Sequence, residues 1–314
     1  MTGEERFVAI YSVVPGDKPD TLTINAVAKP RIRSDYGSLT PSKVNTSVYL
    51  LGYGPAQDGL DVYEFTAASP WLKYVDVKLQ IGKGKNIINT FALGNEPYVA
   101  VYTAETGTFE IYNIKRDLRL SRPYQFYRNH ELAISLGFTT IKVFTQFGQV
   151  VFLGYNGKNG NVAMYTLAVT AVSTDPEVPP LLMTPVWSHQ WAKGWTRFAF
   201  FQLGGENFFL KTNTWKPNVN IDHVLDSLAA GTIEVGTRMS LHEAQELSNV
   251  EPFVLGCADP HFATYISKSG EVTLNRFHSD CLGWTTIGKL NTQTGAGSVV
   301  SISTADRQVF LVFA

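Results

Sequence analysis

The chain has 314 residues, 44% of them hydrophobic and 17% charged, with a formal net charge of -1. That composition excludes a disordered chain and gives no electrostatic ground for a nucleic-acid or anionic-membrane partner. Two cysteines, Cys257 and Cys281, are too few for a disulfide framework and form no CxxC pair, leaving either two thiols or one bridge.

Taken in order, the chain is a succession of β-hairpins. Arg6–Val14 leads through Pro15-Gly16-Asp17 into Thr21–Ala28, and Thr46–Tyr53 turns at Asp58-Gly59 into Leu60–Phe65. Pro97–Ile114 turns at Glu105-Thr106-Gly107, with Val99 and Val101 alternating on one arm and Phe109 and Ile111 on the other. Gln149–Tyr155 turns at Asn159-Gly160, Asn207–Thr214 at Lys216-Pro217-Asn218, and Phe262–Ser267 at Ser269-Gly270. The turns at Gly59, Gly107, Gly160, Asn218 and Gly270 are 48, 53, 58 and 52 residues apart. A β-rich repeat of that length is the mark of a blade array.

Flanking strand-like segments, such as Thr140–Phe147 before a hairpin and Trp71–Leu79 after one, bring each unit to four strands. The third strands DVYEF, FEIYNI and VAMYTL place Tyr63, Tyr112 and Tyr165 alike. The C-terminal run Val309–Phe313 needs a partner strand to cover its edge, and the N-terminal hairpin lacks a strand before it. The predicted fold is therefore all-β, a six-bladed β-propeller closed by strands from both termini, with seven blades as the alternative. It is read as one domain, 1–314, with blades at 38–79, 80–129, 130–190, 191–243, 244–293, and 294–314 with 1–37. Val224–Ala230 and Ser240–Ser248 are predicted helical, the second from a capping-box spacing of Ser240 and Glu243. Ala171–Pro180 is predicted as a loop.

No familiar catalytic motif is present. Gly82-Lys83-Gly84-Lys85 lacks phosphate-loop spacing, and no HExxH, GxSxG or calcium loop occurs. The six histidines include no HxH pair, and His278–Cys281 is read as an ordinary turn, so neither a metal nor a cofactor is expected. The densest constellation is Trp187-Ser188-His189-Gln190-Trp191-Ala192-Lys193-Gly194-Trp195-Thr196-Arg197, in which three tryptophans at spacing four alternate with cationic or titratable groups. Such a surface suits a flat unsaturated ligand or a sugar ring. The alternative is an outer strand, a turn and an inner strand, with the tryptophans packing between blades. His189, Lys193 and Arg197 are the candidate catalytic donors, and Trp191, Trp195, Tyr155, Tyr36, Trp215, Lys211 and His261 the candidate substrate-binding residues. Arg197, Lys211 and His261 are singled out because they sit in or beside apolar strands, where a cation faces a wet channel or pairs with a carboxylate.

The hairpin form, repeated six times, resembles the six-bladed fucose-specific lectins of fungi and bacteria. Those lectins carry a repeated Arg on the second strand, a Glu on the third and a Trp nearby; here the second strands offer Tyr49, Tyr102 and Tyr155, and the third strands Glu64 and Glu110. The layout is also similar to fungal hetero-Diels–Alderase propellers. That resemblance implies a natural-product cyclase holding an apolar or aromatic substrate in an axial apolar pocket, polarised by hydrogen-bond donors and needing no cofactor. A degenerate fucose-type lectin with a glycan partner, or a protein-interaction propeller, is the alternative. MTGEERFVAI shows no secretory signal and no apolar run reaches membrane-span length, so a soluble intracellular protein is expected.

Overall fold

The computed structural model describes residues 6–18, 20–33, 36–44, 47–54, 58–66, 68–81, 86–116, 124–169, 180–213, 215–227, 232–242, 247–255, 260–303 and 308–313. The Gly82–Lys85 segment, residues 171–179, Glu243 of the capping box and Cys257 lie outside the described residues.

The chain opens with β1 (Arg6–Pro15), β2 (Leu22–Ala28) and the short β3 (Arg31–Ile32). Blade 1 is β4 (Ser38–Val44), β5 (Ser47–Tyr53), β6 (Gly59–Phe65) and β7 (Leu72–Gln80). Blade 2 is β8 (Asn86–Leu93), β9 (Glu96–Thr103), β10 (Thr108–Arg116) and β11 (Tyr124–Ala133). Blade 3 is β12 (Thr140–Gln146), β13 (Gln149–Tyr155), β14 (Asn161–Val169) and β15 (Leu181–Gln190). Blade 4 is β16 (Trp195–Leu203), β17 (Glu206–Asn213), β18 (Asn218–Ser227) and β19 (Thr232–His242). Blade 5 is β20 (Asn249–Val254), β21 (Pro260–Ile266), β22 (Glu271–Phe277) and β23 (Trp284–Asn291). Last come β24 (Ser298–Ser303) and β25 (Gln308–Phe313), and β25 pairs with β1 so that blade 6 runs β24-β25-β1-β2. Among the described residues every pairing is antiparallel and joins chain neighbours, except that β1 also pairs with β3 and that β1–β25 joins the two ends of the sequence. The protein is a six-bladed β-propeller. No helix among the described residues is long and apolar enough to cross a membrane.

By internal contacts the chain divides into two compact units. One, Tyr36–Lys193, contains blades 1 to 3. Its first strands β4, β8 and β12 touch in succession, and its core lies between blades because both faces of each sheet are apolar. Phe91 and Phe109 of blade 2 meet Phe152 of blade 3 edge to face, with centroids 5.2 and 4.9 Å apart. This is the arrangement the ring quadrupoles favour. The other unit, Met1–Asp35 with Gly194–Ala314, contains blades 4 to 6, packed in the same manner through β16, β20 and β24.

Two devices recur. The Gly107 N–H donates to Thr103 O and its carbonyl accepts from Ile134 N–H, both at 2.9 Å, and Gly160 repeats this with Asn156 and Trp191. Both glycines have positive φ, 70° and 86°, and a Cβ would stand 2.6 and 2.2 Å from the crossing carbonyl oxygen, so only glycine fits. The second device is a tyrosine at the end of the second strand. Tyr102 donates to Ser135 O at 2.7 Å and Tyr265 to Gln293 O at 2.9 Å, while each hydroxyl accepts the N–H of Phe138 or Ala296 further along that loop. Tyr155 donates to Ala192 O at 2.7 Å. Each tyrosine thus fastens the connection leaving its blade.

The helical expectation is corrected where the residues are described. Val224–Ser227 continue β18, pairing with Val235, Glu234, Ile233 and Thr232, and Ser240–His242 close β19 against Asn220, Val219 and Asn218. A complete ladder to a neighbouring strand outweighs a local capping pattern.

Candidate functional site

A cleft of about 310 Å³ opens on blade 3, where the β11–β12 connection passes over the start of β14 and the end of β15. Ser135, Leu136 and Phe138 form the connection side, Asn161, Val162 and Ala163 the floor, and Ser188 and His189 the far edge. Its volume falls in the range of small-molecule sites, about 300–1,000 Å³. Leu136 is 63% exposed, and Ser135, Asn161, Ser188 and His189 are exposed, whereas Phe138, Val162 and Ala163 are buried. Among the described residues the lining contains no acidic, lysine or arginine side chain; it offers hydroxyl, amide and imidazole groups against an apolar wall.

Local packing explains the opening. Phe138 enters β12 with its ring over Gly154, where a Cβ would stand 2.5 Å from Phe138 Cε2. Gly154 is paired with Ala163 and Ala163 with Ser188, so three small residues lie side by side across the sheet. Ser135 is fixed from beneath: its carbonyl accepts from Tyr102, and its hydroxyl lies 3.0 Å from the Tyr165 hydroxyl.

Blade 1 repeats this plan with different chemistry. Tyr36 occupies the place of Phe138, and a Cβ on Gly52 would stand 2.9 Å from its ring. Gly52 pairs with Asp61, which stands where blade 3 has Ala163. The Tyr36 hydroxyl donates to Asp61 Oδ2 at 2.6 Å and lies 2.8 Å from the Tyr63 hydroxyl, while Tyr74 donates to Asp61 Oδ1 at 3.4 Å. Burial, then the bonds to Asp61 and Tyr63, hold the Tyr36 hydroxyl protonated well above the ordinary tyrosine range. Blade 4 gives a third version. Lys211 stands at the glycine place, opposite Phe198 as Gly154 is opposite Ile141, and its Nζ lies 4.6 Å from the centre of the Trp195 ring. Lys211 is 4% exposed and ion-paired with Asp222, which is fully buried. Burial pulls the Lys211 ammonium below its ordinary value, against the opposing attraction of Asp222.

The residues singled out from sequence are dispersed. His189 lines the cleft edge, and its ring lies 5.8 Å from that of Trp187. Trp187, Trp191 and Tyr155 form a ring chain with centroids 6.0 and 5.9 Å apart. Tyr155 itself is completely buried and serves as a latch. Lys193 is exposed. In the other unit, Arg197 Nε donates to Ser248 O at 2.7 Å, Trp195 covers Lys211, and His261 is buried with its ring stacked on Phe253 at 5.3 Å. Trp215 is 64% exposed, its ring against Gly194. Tyr36 is buried in the blade 1 network. Ser135, Leu136 and Asn161 are not singled out by the sequence, and Ser188 enters it only as part of the Trp187–Arg197 segment. The signal for them was the recurring aromatic–glycine pair, with Asp61 in one copy and Ala163 in another. Among the described residues, no group of three or more His, Cys, Asp or Glu is placed to hold a metal ion.

No protein-family model matches the chain. No curated protein matches it either. Solved structures do resemble it. A Bacteroides fragilis protein assigned as a 6-phosphogluconolactonase is similar over 99% of this chain and 88% of its own, with 12% identity and a TM-score of 0.58. A Bacteroides uniformis protein of the same assignment is similar over 98% and 88%, with 10% identity and a TM-score of 0.56. The exo-β-1,3-galactanase of Phanerochaete chrysosporium, solved with galactose, is similar over 82% of this chain and 61% of its own, with 12% identity and a TM-score of 0.48. At these identities the likeness is one of fold.

Proposed function

We propose that the protein binds a carbohydrate, seating one sugar unit in the blade 3 cleft. The observation that carries this reading is the lining itself: exposed Asn161, Ser188 and His189 face the apolar side chains of Leu136 and Phe138 across about 310 Å³. A pyranose has the matching duality, with hydroxyls at its edge and C–H groups on its faces. The lectin-like alternative from sequence therefore passes to a single cleft rather than to equivalent sites on every blade.

The cycloaddition reading, with His189, Lys193 and Arg197 as donors, asks for an apolar pocket of ligand size. Among the described residues, an apolar cavity lined by Val44, Tyr49, Leu51, Val62, Ile114 and Phe126 has about 10 Å³, room for one water at most. The blade 3 cleft is larger, but of the three named donors only His189 is among its described lining residues.

A glycan array followed by calorimetry on the best ligand tests the proposal. Asn161→Ala and His189→Ala are each expected to weaken binding about tenfold, the worth of one lost hydrogen bond of roughly 1–1.5 kcal/mol. Retention of full affinity by both variants contradicts it.

A further inference from the structure

We infer that Arg197 anchors a binding site for a small oxyanion group, a carboxylate or a phosphate, at the start of β16 in blade 4. The inference is independent of the sugar-binding reading and concerns the other compact unit. Its first ground is the way the guanidinium is held. Arg197 Nε donates to Ser248 O at 2.7 Å. Ser248 is itself fixed twice more: its N–H donates to Tyr265 O and its hydroxyl oxygen accepts from Ser267 N–H, each at 2.8 Å. The guanidinium is thus tethered by one bond to a rigid residue. Among the described residues, Nη1 and Nη2 have no acceptor. A fixed pair of charged N–H donors matches two oxygens of a carboxylate or phosphate.

The second ground is a buried hydroxyl beside it. Arg197 pairs with Thr212 across β16 and β17, so the two side chains leave the same face of the sheet. Thr212 is 4% exposed, and its hydroxyl has no hydrogen-bond partner among the described residues. A hydroxyl buried without a partner is costly, and an oxyanion seated on the guanidinium would give it an acceptor. The third ground is the setting. The Arg197 side chain is exposed, yet burial pulls its guanidinium below the ordinary arginine value. Protein crowds the charge while solvent still reaches it, and an opposite charge arriving from solvent offsets that crowding.

The test is an NMR titration of the full chain with acetate and with inorganic phosphate, against sodium chloride at matched ionic strength. The Arg197 Nε–H and the Ser248 and Thr212 amides are followed. Saturable shifts with acetate or phosphate, and none with chloride, are expected; the tighter of the two anions names the ligand group. Arg197→Ala should abolish the saturable amide shifts. Arg197→Lys keeps the charge but loses the fork, and should weaken binding about tenfold. Thr212→Val keeps the shape, leaves folding undisturbed and should also weaken binding about tenfold, the worth of one hydrogen bond. Equal shifts with chloride, shifts retained by Arg197→Ala, or full affinity in both Arg197→Lys and Thr212→Val would overturn the site. So would the lack of any saturable shift with either anion.

Discussion

In blade 1 the hydroxyl of Tyr36 is bonded to the carboxylate of Asp61, whereas in blade 3 the same two places hold Phe138 and Ala163, which can make no such bond. Both blades keep the glycine beneath the ring, Gly52 or Gly154, and both keep a tyrosine two residues further along the third strand, Tyr63 or Tyr165. The backbone plan is shared, and two side chains decide whether the position is filled from within or left as a cleft. The proposed binding cleft thus differs from the blade 1 position by the loss of a polar occupant. The scaffold already holds a polar position between strands, and removing its occupant exposes it.

Four substitutions break or sharpen this comparison. The largest effect is expected in the blade 4 version, where Asp222→Asn would leave the Lys211 ammonium buried without its counter-charge, at a cost of about 3–5 kcal/mol in denaturant unfolding. Asp61→Ala, which converts blade 1 toward blade 3, removes the acceptor of the Tyr36 and Tyr74 hydroxyls and should cost about 2–3 kcal/mol by the same measurement. Gly154→Ala presses a methyl into the buried Phe138 ring and should cost about 1–3 kcal/mol, as expected for overpacking. The smallest effect is a pH dependence. Tyr36 is raised above the ordinary value of 10.0, so above that pH the unfolded chain releases its proton while the folded chain keeps it. Its contribution is present below pH 10.0 and drains away as pH rises above it. The stability gap between the protein and Tyr36→Phe, measured by urea unfolding, should therefore narrow on the alkaline side; a gap that widens there would contradict the assignment.

Much of the scaffold was legible in the sequence. Gly107, Gly160 and Gly270 marked hairpins because only glycine tolerates the crossing carbonyl, and the apolar Val309–Phe313 run required the partner that β1 supplies. The fourth strand of blade 4 was not legible, since Ser240 and Glu243 mimic a helix cap and the pairing that overrides it comes from residues some twenty positions earlier. The tryptophan-rich segment was visible, but its geometry was not: spacing four along a strand and turn brings Trp187 to Trp191, while Trp195 lies over Lys211. The cleft was hardest to see because it is made by an absence. Ala163 is unremarkable until the register shows that it stands where Asp61 does, a hundred residues away.

The most direct test of the central claim is a methyl NMR titration with the sugars selected by the glycan array. Binding in the blade 3 cleft predicts saturable shifts of Leu136, Val162 and Ala163, with Leu60 and Val62 of blade 1 unmoved. Shifts confined to other methyls, or none at all, would contradict it.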